Sequence, residues 1–106
     1  MGTGQAPELS GDAARTDGAV GLTVSVRYLS AVREQAGTKR DEVRLPPGST
    51  LAAAVDWIRT TRGLEVPGPG LMSTLNGYGW TQLQNGMATV LHEGDEIALF
   101  PLISGG

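Results

Sequence analysis

The chain has 106 residues, 40% of them apolar and 18% charged, which predicts one globular domain with a single hydrophobic core. The formal net charge is −3 and the basic residues are scattered, so nucleic acid and anionic membrane surfaces are not expected as partners. Because cysteine is absent and His92 is the single histidine, a zinc cluster, a thiol nucleophile and a disulfide are excluded.

The beginning of the chain carries no pattern of regular structure. Residues 1–21 are rich in Gly, Ala, Thr and Asp and show no apolar period, which predicts a disordered N-terminal extension. No apolar run approaches the roughly 20 residues that a membrane-spanning helix needs. The N-terminus also lacks the basic and apolar regions of a signal peptide. The cytoplasm is therefore the predicted compartment.

Alternating hydrophobicity begins at Leu22. The sequence LTVSVRYL, residues 22–29, places apolar side chains at every second position, which predicts a strand with one buried face. Ser30 to Ala36 are predicted to form a short helical turn that ends at Gly37. A second alternating run, residues 42–45, predicts the strand that pairs with the first one.

A helix is predicted over residues 51–62, after the breaking sequence Pro-Pro-Gly at 46–48. Ser49 or Thr50 is expected to cap it, by accepting a hydrogen bond from a free backbone N–H. Apolar side chains with the spacing i, i+3, i+4 and i+7 form one stripe that should face the sheet: Leu51, Ala54, Val55 and Ile58. The glycines and prolines of residues 63–70 predict a loop.

The second half of the chain predicts three more strands. LMSTL, residues 71–75, is the third strand, and residues 76–79 form a turn. Residues 80–83 are predicted as a short fourth strand, with Trp80 half-buried. EIALF, residues 96–100, predicts a central strand.

Pro101 is expected to end the ladder of this last strand, because proline has no N–H to donate. The order strand, strand, helix, strand, short strand, strand predicts an α+β domain over residues 22–106. Its mixed sheet has four or five strands, with one main helix on one face. Chain ends usually lie at the surface, so the last residues are expected to form a flexible tail.

Several side chains have a structural and a functional interpretation. Four of them are expected to pack in the sheet, although some could form an apolar docking patch: Tyr28, Leu75, Trp80 and Phe100. His92 is predicted to lie exposed in a turn, without a catalytic role. The acidic cluster Glu93, Asp95 and Glu96 is either a solvated turn or a contact for a basic face of a partner.

The sequence ends Phe100-Pro101-Leu102-Ile103-Ser104-Gly105-Gly106. Ser104 and the two glycines have almost no side-chain volume, so the terminus can enter a narrow channel. Coming after GDEIALFP and after the predicted element order, this ending resembles that of the ubiquitin-like sulfur carriers of the MoaD/ThiS family. The resemblance covers residues 22–106 and includes VSVRYLSAVREQAG, LPPGST and HEGDEIALFPLISGG.

The resemblance implies a β-grasp fold and a reaction at the Gly106 carboxylate. A partner adenylyltransferase of the MoeB/ThiF type would use ATP and Mg²⁺ to convert this carboxylate into an acyl adenylate. A sulfur donor would then turn the adenylate into a thiocarboxylate. The chain itself would bind no cofactor or metal and would have no catalytic machinery of its own.

The resemblance also assigns roles to the last seven residues. Ser104, Gly105 and Gly106 would thread into partner enzymes, and the preceding residues would contribute to docking: Phe100, Pro101, Leu102 and Ile103. Within the family the tail is most similar to that of MoaD, the small subunits of molybdopterin synthase, whose tails commonly read Pro-Pro-hydrophobic-Ser-Gly-Gly. Leu102 stands where a second proline is usual, and GYGWTQLQNG differs from the common turn.

The function implied by this likeness is sulfur donation in molybdenum cofactor biosynthesis, together with a MoaE-like large subunit. One alternative is a sulfur carrier for thiamine, cysteine, tRNA thiolation or a specialised metabolite. Another is a ubiquitin-like modifier that is attached to lysines of other proteins. A third, of a different class, is a non-catalytic β-grasp interaction module.

Overall fold

The computed structural model of the protein describes residues 21–102. The predicted N-terminal extension, apart from Gly21, and residues 103–106 of the predicted tail lie outside this range. The elements in chain order are β1 (Leu22–Tyr28), α1 (Ala31–Ala36), β2 (Arg40–Leu45), α2 (Leu51–Arg62), β3 (Leu71–Leu75), β4 (Tyr78–Gly79) and β5 (Glu96–Pro101). Two 3₁₀ turns, Trp80–Gln82 and Gly86–Ala88, lie between β4 and β5.

The strands form one mixed sheet in the order β2-β1-β5-β3-β4. β5 runs parallel to β1 and antiparallel to β3, and β1 pairs antiparallel with β2. The predicted α+β class, with one main helix and a mixed sheet, is confirmed. Because β1 and β5 are parallel neighbours, their C-terminal ends lie at the same end of the sheet. This is the end at which the chain passes from β1 to α1.

One face of the sheet forms the core, as the alternation in β1 predicts. In β1 the buried positions alternate with partly or fully exposed ones. The predicted stripe of α2 is buried as well and belongs to the same cluster as the inward side chains of β1 and β5. Ile97 and Leu99 of β5 are fully buried at its centre. Burying a side chain of this size contributes about 1.5–3 kcal/mol.

The prediction for residues 80–83 is wrong. Trp80–Gln82 form a 3₁₀ turn, in which the Leu83 N–H donates to the Trp80 carbonyl over 3.3 Å. The Gly79 N–H donates to Gln82 Oε1 over 3.0 Å, so these two groups are paired within the turn. Trp80 is buried, with only 6% of its surface exposed, and is not half-buried. The short fourth strand is Tyr78–Gly79, which had been predicted as part of the turn.

Pro101 does not end the ladder of the last strand. It pairs with Leu71 of β3, and the next residue, Leu102, donates its N–H to the Gly70 carbonyl over 2.9 Å. This bond makes Pro101 and Leu71 a non-hydrogen-bonded pair, in which neither N–H is needed by the partner strand. The ladder between β5 and β3 therefore does not need the N–H that Pro101 lacks.

The expected side-chain cap of α2 is not formed. Thr50 is the N-cap of α2 but makes no side-chain capping bond, and the Ser49 hydroxyl donates to the Pro46 carbonyl over 2.7 Å. Gly37 ends α1 as predicted. It has φ 83°, a left-handed conformation that suits glycine, and its N–H donates to the Arg33 carbonyl. β2 begins at Arg40 and not at residue 42, because Arg40 and Asp41 pair with β1.

A polar network ties β1 and β2 to the end of α2. The Tyr28 hydroxyl donates to Asp41 Oδ2 over 2.8 Å, and the Arg62 guanidinium binds both oxygens of the same carboxylate. The hydrogen bond from Arg62 lowers the pKa of the Asp41 carboxyl. Burial, followed by the hydrogen bond to Asp41, raises the pKa of the Tyr28 phenol. The network therefore favours ionised Asp41 and neutral Tyr28 in the folded state.

Replacing Asp41 by Asn is expected to lower the free energy of unfolding by about 1–3 kcal/mol at neutral pH, because the amide has no charge to pair with Arg62 and only one acceptor oxygen for Arg62 and Tyr28. A carboxyl whose pKa is lowered by folding stabilises the protein above its unfolded pKa of about 3.9, and this stabilisation disappears as the pH falls further. Urea unfolding at neutral pH and near pH 3 measures this effect. Between these two pH values the free energy of unfolding should fall less in D41N than in the wild type.

The matched control is Glu42→Gln, one residue along the same strand. Glu42 pairs with Arg40 at 3.0 Å, but both side chains are more than half exposed, and surface ion pairs contribute little. E42Q should unfold like the wild type. Equal destabilisation of the two variants would show that the Asp41 network has no special role.

Candidate functional site

The last described residues, Pro101 and Leu102, lie at the C-terminal end of β5. The backbone bond from Leu102 to Gly70 keeps the chain in the ladder as far as residue 102. The Leu102 side chain is 55% exposed. Ser104, Gly105 and Gly106, predicted for threading, lie outside the described range, as does Ile103 of the predicted docking segment.

An apolar patch lies on the face of the sheet that the helices leave open. Along β5 the positions that alternate with buried Ile97 and Leu99 are Glu96, Ala98 and Phe100, so these three share the open face. The register with β3 places Met72 opposite Phe100. We define the open-face patch as Met72, Ala98 and Phe100; it lies directly before Leu102.

Charged side chains border the open-face patch. Arg27 of β1 lies beside Ala98 in the register, and its Nη1 donates to Glu96 Oε2 over 3.2 Å. Both side chains are about half exposed, so the pair adds little stability. The result is an apolar centre with a polar rim, the arrangement that protein interfaces show.

The predicted docking residues do not all share this face. Phe100 lies on the open face, whereas Pro101 pairs with Leu71 on the opposite side, next to α1. Met72 was missed by sequence reasoning. Its contribution depends on the pairing of β3 with β5, and no local pattern in the sequence shows which strands are neighbours.

The acidic cluster is engaged within the domain. Glu93 Oε1 accepts a hydrogen bond from the Thr23 N–H at 2.8 Å, and Asp95 Oδ2 accepts one from the His92 N–H at 2.8 Å. Glu96 belongs to the ion pair described above. These carboxylates close the turn before β5, which agrees with the structural interpretation of the cluster. The His92 side chain is exposed, as predicted.

The other three side chains with two interpretations are Tyr28, Leu75 and Trp80, and all of them are core residues. Within residues 21–102, no group of three or more His, Asp or Glu side chains is arranged as a metal site would require. No helix in this part of the chain combines the length and the apolar character needed to cross a membrane.

A five-stranded mixed sheet with one main helix across a face, and a C-terminal strand parallel to the first, is the β-grasp architecture of ubiquitin-like proteins. The model of the ThiS family matches residues 26–106. The chain therefore belongs to the ThiS family, the ubiquitin-like sulfur carriers. The match includes the last residue, Gly106. A search of curated protein sequences finds no match.

Solved structures of similar fold cover most of the chain. A molybdopterin converting factor subunit 1 protein from Pyrococcus furiosus is 24% identical, with a TM-score of 0.64 over 77% of this chain and 99% of that one. SAMP1 from Haloferax volcanii is 22% identical, with a TM-score of 0.62 over 79% and 99%. The BexX/CysO complex of Amycolatopsis orientalis contains a chain 17% identical, with a TM-score of 0.59 over 78% and 99%. These likenesses show the fold.

Proposed function

We propose that this protein carries sulfur as a thiocarboxylate on Gly106 and donates it in molybdopterin synthesis, as the small subunit of molybdopterin synthase. The observation that supports this most strongly is the family match, which extends through the Ser-Gly-Gly ending to residue 106. The choice of pathway rests on the resemblance of the tail sequence to that of MoaD.

The chemistry starts from an unreactive group. An α-carboxyl group has a pKa of about 3.5, so it is ionised at neutral pH and is a poor electrophile. A partner adenylyltransferase of the MoeB/ThiF type makes a carboxylate oxygen attack the α-phosphorus of ATP, with Mg²⁺ neutralising the phosphates and pyrophosphate leaving. Sulfide (HS⁻) from a sulfur donor then attacks the acyl carbon and displaces AMP, which yields the thiocarboxylate without a change in oxidation state.

These steps belong to partner enzymes. This chain has no cysteine and a single, exposed histidine, so it lacks an activated nucleophile of its own. Its contribution is to present the terminus. Four extended residues beyond Leu102 span at most about 14 Å, which is enough to enter a partner's active site while the domain stays at the entrance.

The open-face patch is the proposed contact with the activating enzyme and with a MoaE-like large subunit. Apolar side chains next to the start of the tail can bind the rim of a partner's channel and orient the terminus. Phe100→Asp should weaken this contact by roughly 2 kcal/mol, a loss of about 30-fold in kcat/KM for thiocarboxylate formation. The fold should persist, because Phe100 lies on the open face.

The control for this variant is Ala52→Asp. Ala52 is exposed in the first turn of α2, on the other side of the sheet, where an added carboxylate is favoured by the helix dipole. Binding to the adenylyltransferase and the rate of mass change should match the wild type. If F100D also kept the wild-type rate, the patch would not be the docking surface.

Reconstitution with a MoaE-type large subunit and the pterin precursor tests the pathway. The thiocarboxylated chain should form a complex with the large subunit and lose its sulfur to the pterin, returning to the mass of the free carboxylate. A thiocarboxylate that forms but is not consumed in this mixture would assign the carrier to another sulfur pathway. If the C-terminus instead became attached to lysines of other proteins through isopeptide bonds, the chain would be a protein modifier.

A further inference from the structure

A second surface is the edge of β3 that faces away from β5. Leu71 and Pro101 form a non-hydrogen-bonded pair, so the backbone N–H and C=O groups of Leu71 point away from β5. Hydrogen-bonded and non-hydrogen-bonded pairs alternate along an antiparallel ladder. The backbone groups of Ser73 and Leu75 therefore point to the same side as those of Leu71, whereas those of Met72 face β5.

β4 covers only one end of this edge. It is two residues long, because the chain leaves the sheet at the 3₁₀ turn that begins at Trp80. β4 pairs with Leu75 at the end of β3 and does not extend to Leu71 or Ser73. Among residues 21–102, none forms a hydrogen bond with the outward N–H or C=O groups of Leu71 and Ser73. These two donors and two acceptors are available to a further strand.

A groove of about 140 Å³ lies beside these backbone groups. Its lining comprises Leu71–Ser73 of β3, Gly79–Thr81 of the turn and Pro67, all of them uncharged. The groove is continuous with the open-face patch, because Met72 belongs to both. The Trp80 indole N–H is buried, and no residue in the described part of the chain accepts it. Backbone carbonyls of an added strand are acceptors of the kind that this N–H lacks.

The other edge of the sheet, β2, has a different composition. The Tyr28 N–H donates to the Lys39 carbonyl, so by alternation the backbone groups of Arg40, Glu42 and Arg44 point away from β1. Charged side chains along an edge strand discourage pairing with another chain. The open part of β3 has no such charges. Of these two edges, the β3 edge is therefore the one suited to strand addition.

We propose that the β3 edge binds an extended, uncharged segment of a partner enzyme, which adds to the sheet as a further strand. Main-chain hydrogen bonds to Leu71 and Ser73 set the register of the segment, and one of its side chains enters the groove. Because Leu71 pairs with Pro101, the added strand lies next but one to the C-terminal end of β5. This inference deepens the proposed function and rests on it for the partners, which are the adenylyltransferase and the MoaE-like large subunit.

A second copy of the chain is a less suitable occupant. Stable protein interfaces bury about 1,200–2,000 Å², and an edge of three residues, Leu71–Ser73, supplies only a small part of this area. A partner enzyme that also contacts the open-face patch gains the additional area from that patch.

Hydrogen exchange of the backbone amides, followed by nuclear magnetic resonance on the full chain, tests the inference. In the free protein, the amides of Met72 and Thr74 should exchange slowly, because they face β5, and those of Leu71 and Ser73 should exchange rapidly. Adding the adenylyltransferase or the large subunit should slow exchange at Leu71 and Ser73 by about tenfold or more. Slow exchange that depends only on the concentration of the chain itself would assign the edge to a second copy and overturn the inference.

Ser73→Pro provides a second test. Proline removes the outward N–H without removing a hydrogen bond of the β3–β5 ladder, and it is tolerated at free edges. S73P should bind the partner about tenfold more weakly. Ser73→Ala keeps the N–H, and Glu42→Pro makes the same backbone change at the β2 edge, so both should bind like the wild type. Amide spectra verify the fold of each variant.

The mass of the chain, measured in the same mixtures, separates this inference from the proposed function. Rapid exchange at Leu71 and Ser73 with both partners, in mixtures that still load sulfur onto the chain, would overturn strand addition and leave the carrier function intact. Slow exchange without sulfur loading would have the opposite meaning. If exchange and mass both stay unchanged, the two proposals are both wrong.

Discussion

Deleting Gly106 is expected to abolish thiocarboxylate formation while leaving the unfolding transition of the domain unchanged. The adenylyltransferase would meet Gly105 as the new terminus, one residue short of the position that its active site requires. A misplacement of this size removes the advantage of holding the reacting atoms in the correct geometry. Because Leu102 makes the last described backbone bond of the sheet, the shortened chain retains its core.

Two further variants separate the terminal carboxylate from the bulk of the tail. An amidated Gly106 keeps every residue but has no carboxylate oxygen to attack ATP, so it should also be inactive. Ser104→Ala keeps both the length and the slenderness of the tail and should react. Sulfur incorporation into the shortened or amidated chain would show that the reactive group lies elsewhere.

Leu99→Ala is expected to lower the free energy of unfolding by about 2–5 kcal/mol, the range for truncating a buried leucine. Leu99 is fully buried in β5, between β1 and β3, and its carbonyl accepts the Leu29 N–H at 3.0 Å. The loss combines the missing apolar contacts with the cavity that rigid neighbours leave. Urea unfolding monitored by tryptophan fluorescence measures this change.

Met72→Ala provides the comparison for this prediction. Met72 is 37% exposed on the open face, so its truncation creates no closed cavity and should cost less than about 1 kcal/mol. The two variants remove similar side chains from opposite faces of the sheet. Similar losses in both would contradict the assignment of the core to the helix-covered face.

Local patterns in the sequence predicted the parts of the fold that depend on local physics. The period-two run of β1 identified its buried face, and the spacing of Leu51 to Ile58 identified the inward stripe of α2. Gly37 ended a helix because its left-handed conformation is a property of the residue itself. In each case residues that are close in the sequence determine the local structure.

The two wrong predictions, for residues 80–83 and for Pro101, have different causes. Residues 80–83 have the composition of a strand, but Trp80–Gln82 form a 3₁₀ turn in which Gln82 Oε1 accepts the Gly79 N–H. Pro101 looked like a strand terminator, and it is tolerated because its pair with Leu71 requires no N–H. The outcome at Pro101 depends on the position of β3, which no local pattern specifies.

One part of the candidate site could be predicted from the sequence and another part could not. The reactive terminus follows from the resemblance of the ending, and the family match includes it. The open-face patch needed the register that brings Met72 to Phe100. Surfaces built from separate segments appear only once the sheet order is known.

The intact mass of the full-length chain, measured after incubation with its adenylyltransferase, ATP, Mg²⁺ and a sulfur donor, tests the central claim most directly. The proposed function predicts an increase equal to the exchange of one oxygen for one sulfur, which fragmentation places on Gly106. An unchanged mass in a mixture that converts an authentic sulfur carrier, or sulfur located on any other residue, would contradict it.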